Sequence, residues 1–168
     1  MSDSKKIAVI GAGPSGLSVL HAFKNDSVDI TVFEKQADMF GQWNVDWHTG
    51  VDANGEVVHG SMYNHLYTNA PREGNLEFPD APFEEVFGRK VTSFPPRELI
   101  VEYLKRRYAT DSNKKCIKFQ NAVRDVKWVA DFGKFRVRVT DLVADEDSVG
   151  DYDYGGNIYF HLRVFGVF

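Results

Sequence analysis

The stretch "KKIAVIGAGPSGLSVLHAF" constrains the fold more than any other, because a short apolar run ends directly on a G-x-G-x-x-G pattern at Gly11, Gly13 and Gly16. Residues 6–10 read as a strand. Pro14 suits the first turn of a helix, where its missing N–H costs nothing, and Leu17, Leu20, Ala22 and Phe23 supply an apolar face. After "KNDS", the run "VDITVFEK" reads as a second strand finishing at Glu34. The unit is β-α-β. In such a unit Gly11 makes the tight turn, Gly13 lets a pyrophosphate approach the backbone, and Gly16 lets the helix pack close to the strand. The helix N-terminus then faces the phosphate charge. Glu34 follows Gly16 by 18 residues, near the spacing at which an acid accepts hydrogen bonds from a ribose. An acid there favours an unphosphorylated ribose, hence FAD or NAD rather than NADP at this position. A purely structural glycine turn is the competing reading, and the strand before, helix after and acid beyond count against it.

Composition excludes several classes. The chain has 168 residues, 43% of them hydrophobic and 26% charged, which is ordinary for one domain with a real core. A net charge of −4 gives no basic field, so nucleic acid is not an expected partner. The basic run Lys105-Arg106-Arg107 falls within a helical pattern and reads as its solvated face and favourable C-terminal charge. With Cys116 as the single cysteine there is no internal disulfide or redox pair, which suits a reducing, cytoplasmic setting. The N-terminal apolar stretch meets glycines and Pro14 too soon for a signal peptide, and no apolar run approaches the roughly 20 residues of a membrane span. His21, His48, His59 and His65 show no metal-ligand spacing, so no metal site is expected. Asn25-Asp26-Ser27 matches a glycosylation acceptor by chance.

Residues 41–96 show little periodicity but are dense in Gly, Pro, Asn and aromatics. Long irregular segments with interleaved rings suit a wall around a planar cofactor, the alternative being a surface excursion with its own small core. Beyond it, Pro95-Pro96 announces a helix with Ile100, Tyr103, Leu104 and Tyr108 as its buried stripe. "CIKFQNAV", "VRDVKWV" and "KFRVRVT" read as strands, the last alternating Phe135, Val137 and Val139 against Arg136, Arg138 and Thr140, with "ADFGK" a turn.

In order and rough spacing, "VIGAGPSGL", "VFEKQ", "FGQWN", "HGSMYNHLYTNAPREGNLEFPDAPF" and "FPPRELIVEYLKRRY" resemble the flavin-containing monooxygenases, most of all their bacterial trimethylamine-oxidising branch. The resemblance covers residues 5–154. The "MYNHLYTNAPREGNLEFPD" stretch is more specific than the glycine loop, because phosphate binding in general does not require it. The family implies FAD, its reduction by NADPH, and a flavin C4a-hydroperoxide that oxygenates soft nitrogen or sulfur nucleophiles with O₂. Small-molecule amines or sulfides are then the substrates. By the same resemblance Gly11, Gly13, Ser15 and Gly16 match the FAD pyrophosphate loop, Glu34 the adenosine-ribose acceptor, and Gln36 an adenosine contact. Gln42-Trp43 stands at the family's "GGxW" cofactor contacts, with Phe40-Gly41 in place of the double glycine. The resemblance also implies that His59 touches the cofactor and that Tyr67 and Asn69 lie against flavin and nicotinamide, with Asn69 as the candidate catalytic residue.

The fold expected is α/β: a Rossmann-like FAD-binding β-α-β unit with a small antiparallel β-meander, incomplete at the C-terminus. Residues 1–154 form the N-terminal part of the FAD-binding domain and 155–168 a divergent apolar tail. The NADPH-binding domain, with its second glycine fingerprint, is expected to be absent. The strand that the family places after Tyr154 is missing from the pattern, which leaves an unpaired sheet edge; the β-prone tail either takes a place on that sheet in its stead or forms an exposed apolar patch through which the chain self-associates. Two functions remain open, a monooxygenase fragment and a catalytically silent nucleotide-binding or interaction module.

Overall fold

The computed structural model describes residues 4–45, 48–58, 68–69 and 71–156. Along the chain the elements run β1 (Lys5–Ile10), α1 (Pro14–Ala22), β2 (Val28–Phe33), a 3₁₀ turn (Gly41–Trp43), β3 (Gly50–Val51), β4 (Val57–Val58), α2 (Phe83–Phe87) and α3 (Arg97–Tyr108). Then follow α4 (Asp111–Lys115), β5 (Ile117–Lys118), β6 (Asn121–Val129), β7 (Lys134–Asp141), β8 (Glu146–Tyr152) and β9 (Tyr154–Gly156). They divide into two compact units at Gly41/Gln42 and Thr110/Asp111, each described by itself. No described helix is long and apolar enough to cross a membrane.

The first unit is built on a four-stranded sheet in the order β5-β2-β1-β9, every neighbouring pair parallel. Ile7, Ala8 and Val9 are consecutive and all buried, as a strand covered on both faces requires. Val9 faces α1, with its Cγ1 only 3.3 Å from where a Cβ on Gly16 would stand. Ala8 faces the other way, into a core shared with Phe33, Val137 and Val139. Leu17, Val19 and Leu20 form the buried side of α1, whereas Ala22 and Phe23, expected on that face, are exposed because the helix ends at Ala22.

An antiparallel meander is present, as expected, but as β6-β7-β8: β7 is the "KFRVRVT" strand, β6 joins "VRDVKWV" to the end of "CIKFQNAV", and β8 is a strand that the sequence reading does not include. The meander's inner positions Val137 and Val139 are buried, and Arg136 and Arg138 on the outer face pair with Asp151 and Asp147 at 2.8 and 3.0 Å. Two expectations about the strands need correction. "CIKFQNAV" is not one strand: Gln120, at φ 54°, turns the chain out of the parallel sheet after β5 and into the meander at Asn121. Nor is the β1 edge open after Tyr154, since β9 pairs with it through Ile7–Tyr154, Ala8–Gly155 and Val9–Gly156. Gly155 suits this place, because a Cβ there would come 2.9 Å from the Cβ of Phe135. The tail beyond Gly156, and with it the expected self-association, lies outside the described residues.

The second unit has a small aromatic core of its own, which was the alternative reading of the irregular middle. Pro96 caps α3, and Ile100, Tyr103, Leu104 and Tyr108 are buried as the stripe predicts. Phe83 of α2 stacks on Tyr103 with ring centroids 4.1 Å apart, and Phe78 meets Tyr108 edge-on at 5.9 Å. The Tyr103 hydroxyl donates to Ala81 O at 2.7 Å and accepts from the Phe78 amide at 2.9 Å. Burial pushes its titration above the usual tyrosine range. Arg72, also buried, binds Glu84 through two nitrogens, reaches Glu77 at 3.3 Å and Glu73 at 3.1 Å, and donates to Val91 O. The solvated basic face holds for Lys105 and Arg106 but not for Arg107. That guanidinium lies over the Phe78 ring at 4.3 Å and on Asp80 at 2.9 Å, with its side chain only 7% exposed.

Candidate functional site

The glycine loop joins the carboxyl end of β1 to the amino end of α1. Gly11 has φ +92°, a conformation that a side chain would strain, and its amide donates to Phe33 O at 2.8 Å. A Cβ on Gly16 would stand 2.0 Å from the carbonyl oxygen of Gly11, so only glycine lets helix and loop meet this closely. Gly13 is different. Its φ of −71° is ordinary and nothing lies within 4 Å of its Cβ position, so it is open on that side.

Gly13 is also the N-cap of α1 and supplies no side chain to bond the first-turn amides. Pro14 follows at the start of the helix, no acid lies in the first turn, and Ser15 is half-buried there. Amides left without a capping side chain, at the positive end of the helix dipole and beside an open backbone, suit an anionic phosphate.

Glu34 stands immediately after β2 and is buried. Its Oε2 accepts from the Ala12 amide at 2.7 Å and its Oε1 from the Gln36 amide at 2.9 Å. Each oxygen keeps a second lone pair, so the carboxylate can brace the loop and still accept from a hydroxyl. Gln36 is half-buried, its carbonyl bonded by the Gln120 amide at 3.1 Å, which holds the backbone after Glu34. The two bonds of Glu34 thus bring the glycine loop, Glu34 and Gln36 together.

The turn after them is made by a residue that rarely enters the left-handed region. Phe40 has φ +85° and is fully buried, Gly41 follows at φ +55°, and the Phe40 amide donates to Ala12 O at 2.8 Å. For a bulky residue this conformation costs about 1–2 kcal/mol. The departure from a double glycine is the one sequence signal that marks it.

In the second unit, Gln42 is exposed and Trp43 half-buried within the 3₁₀ turn. The Trp43 carbonyl accepts from Arg97 Nη1 at 2.7 Å, and the Arg97 side chain is buried. Asn69 is exposed, at a bend that Thr68 anchors to Pro95 O through both its amide (3.2 Å) and its hydroxyl (3.1 Å). His59 and Tyr67 lie outside the described residues.

The sheet order gives the loop its meaning. From β1 the chain moves outward to β2 and β5, then returns through the meander to place β9 on the other side of β1. The strand order therefore reverses at β1, and ligands of open parallel sheets bind beyond the carboxyl ends at such a point. The glycine loop occupies that place, and this combination defines a Rossmann-like dinucleotide-binding fold. A family model described as flavin-binding monooxygenase-like matches residues 4–149, and the chain belongs to that family. It is 43% identical to a trimethylamine monooxygenase of Roseovarius nubinhibens over 157 residues, which are 90% of this chain and 35% of that protein. Among solved structures it is similar to Tmm from Pelagibacter sp. strain HTCC7211, with a TM-score of 0.82 and 40% identity over 89% of this chain and 35% of the other. S-allyl-L-cysteine S-oxygenase from Allium sativum shares the fold, with a TM-score of 0.71 at 24% identity over 91% of this chain and 36% of the other. The chain spans about a third of the length of the curated trimethylamine monooxygenases that it matches.

Proposed function

We propose that this chain is the FAD-binding part of a flavin-dependent monooxygenase that oxygenates a soft nitrogen or sulfur nucleophile, an amine or a sulfide, with O₂ and NADPH. The observation that carries the reading is the loop itself: open backbone at Gly13, uncapped amides at the start of α1, and Glu34 braced against Ala12 at the end of β2. Gly11, Gly13, Ser15 and Gly16 hold the pyrophosphate, and Glu34 takes the adenosine ribose, with Gln36 beside it. Gln42, Trp43, His59, Tyr67 and Asn69 are assigned to the flavin and nicotinamide side by resemblance, Asn69 as a neutral donor and acceptor close to the reacting ring. FAD supplies the redox chemistry; the protein's residues bind it, orient it and keep water from it. Names of relatives at 43% and 44% identity favour an amine substrate.

A second reading is nucleotide binding without turnover, which the glycine loop and Glu34 would support by themselves. The test is to incubate the chain with FAD, NADPH and trimethylamine and to follow flavin retention, NADPH oxidation and amine oxygenation. FAD retained with oxygenated amine supports the first reading, and FAD retained without turnover the second. Absence of FAD binding overturns both.

A further inference from the structure

Ala12, the residue between the first two glycines, is fully buried, and its two peptide groups are gripped from different directions. Its N–H goes to Glu34 Oε2 at 2.7 Å and its carbonyl oxygen takes the Phe40 amide at 2.8 Å. The turn that carries Phe40 lies directly against the loop, since a Cβ on Gly41 would be 3.7 Å from Gly13 Cα. Three non-glycine residues among those described have positive φ, namely Phe40, Gln120 and Asp145, and of these only Phe40 is buried. Asp has a short polar side chain that tolerates the left-handed region, and phenylalanine has no such help. Two demands meet at Phe40: its ring is in the core and its amide faces Ala12 O. A φ of +85° satisfies both at once.

We infer that Phe40 is a positioning residue for the glycine loop. Its buried ring holds a left-handed turn in place, and that turn aims the Phe40 amide at Ala12 O and so fixes the direction of the Gly13 amide and the start of α1. The effect on ligand affinity rests on the dinucleotide reading; the effect on the loop does not.

Phe40→Ala and Phe40→Gly separate this role from simple packing, because both remove the ring but only glycine enters the left-handed region freely. Hydrogen exchange of the amides at positions 12 and 40, thermal stability and FAD affinity are measured on the full chain. Both variants melt lower than the parent. Phe40→Ala exchanges at both amides at least about tenfold faster and binds FAD about tenfold more weakly. Phe40→Gly keeps both quantities within about threefold of the parent despite its lower melting point. Equal loss of protection in the two variants, or full protection in Phe40→Ala, overturns the inference. Should Phe40→Ala fail to fold, Phe40→Leu keeps apolar bulk in the core and retains protection at position 12; its loss there at parental melting temperature overturns the inference equally. If the parent chain takes up no FAD, the dinucleotide reading falls, and the exchange data still decide the role of Phe40.

Discussion

Glu34 and Ala12 are joined across the glycine loop by a hydrogen bond of 2.7 Å from the Ala12 amide to Oε2, while the other carboxylate oxygen holds the Gln36 amide. The acid is therefore part of the loop's scaffold as well as a candidate ribose acceptor. Glu34→Gln retains one acceptor and turns an NH₂ group toward the N–H that loses its partner. A loss of about 1–3 kcal/mol in unfolding free energy is expected for a buried unsatisfied donor, together with weaker FAD binding. Urea unfolding and FAD titration of the variant check both, and unchanged stability would remove Glu34 from the scaffold.

Gly13 and Gly16 predict opposite phenotypes. Gly13→Ala meets open space at an ordinary φ, so its stability should stay within about 0.5–1 kcal/mol of the parent while FAD affinity collapses. Gly16→Ala puts a Cβ 2.0 Å from Gly11 O and must displace backbone, costing several kcal/mol, of the order of a severe core defect. Thermal melts with and without FAD distinguish them. Equal destabilisation by the two substitutions would contradict the geometry.

Tyr103→Phe leaves the aromatic stack of the second unit in place but removes the partner of both the Phe78 amide and the Ala81 carbonyl. A loss of about 1–2 kcal/mol is expected, read from denaturant unfolding. A neutral substitution would show that water replaces the hydroxyl without cost.

Asp153 sits where the meander hands the chain to β9. Its titration is held below the usual aspartate range, first by the Lys6 amide, which donates to it at 2.9 Å, and then by Lys5. Asp147 and Asp151 are lowered too, by Thr140 with Arg138 and by Arg136. Since the folded values are depressed, these carboxylates add stability above their unfolded value near 4, and the contribution is lost as pH falls through the folded values. Acid unfolding followed from pH 6 to pH 2 should therefore be shallower in Asp153→Asn than in the parent. Superimposable profiles would count against the link.

How much of this was legible depended on whether a residue's role is local. The glycine loop, Glu34 and the α3 stripe follow from spacing, because turn, helix cap and apolar period are set by neighbours in sequence. The strand pattern also located β7 with its inward valines. The split at Gln120 was not readable, since a single left-handed residue there decides which sheet each half joins. The pairing of β9 with β1 escaped for a related reason: two glycines carry no strand propensity, and only the approach of Phe135 explains why Gly155 is suited there. Arg107 looked solvated because its partners, Phe78 and Asp80, come from a distant loop. Residues 71–80 of the specific "MYNHLYTNAPREGNLEFPD" stretch help to build the second unit: Arg72 with Glu77 forms an ion network, and Phe78 joins the rings of α3.

The central claim is that the open face at Gly13 and the start of α1 receives a pyrophosphate. It is tested most directly by recording backbone amide shifts of the isotopically labelled chain during titration with FAD. The account predicts saturable shifts, largest at Gly13, Ser15 and Gly16, with the Ala12 amide also perturbed, and their disappearance in Gly13→Ala. FAD binding that leaves these amides unmoved while shifting others, or no binding at all, would contradict it.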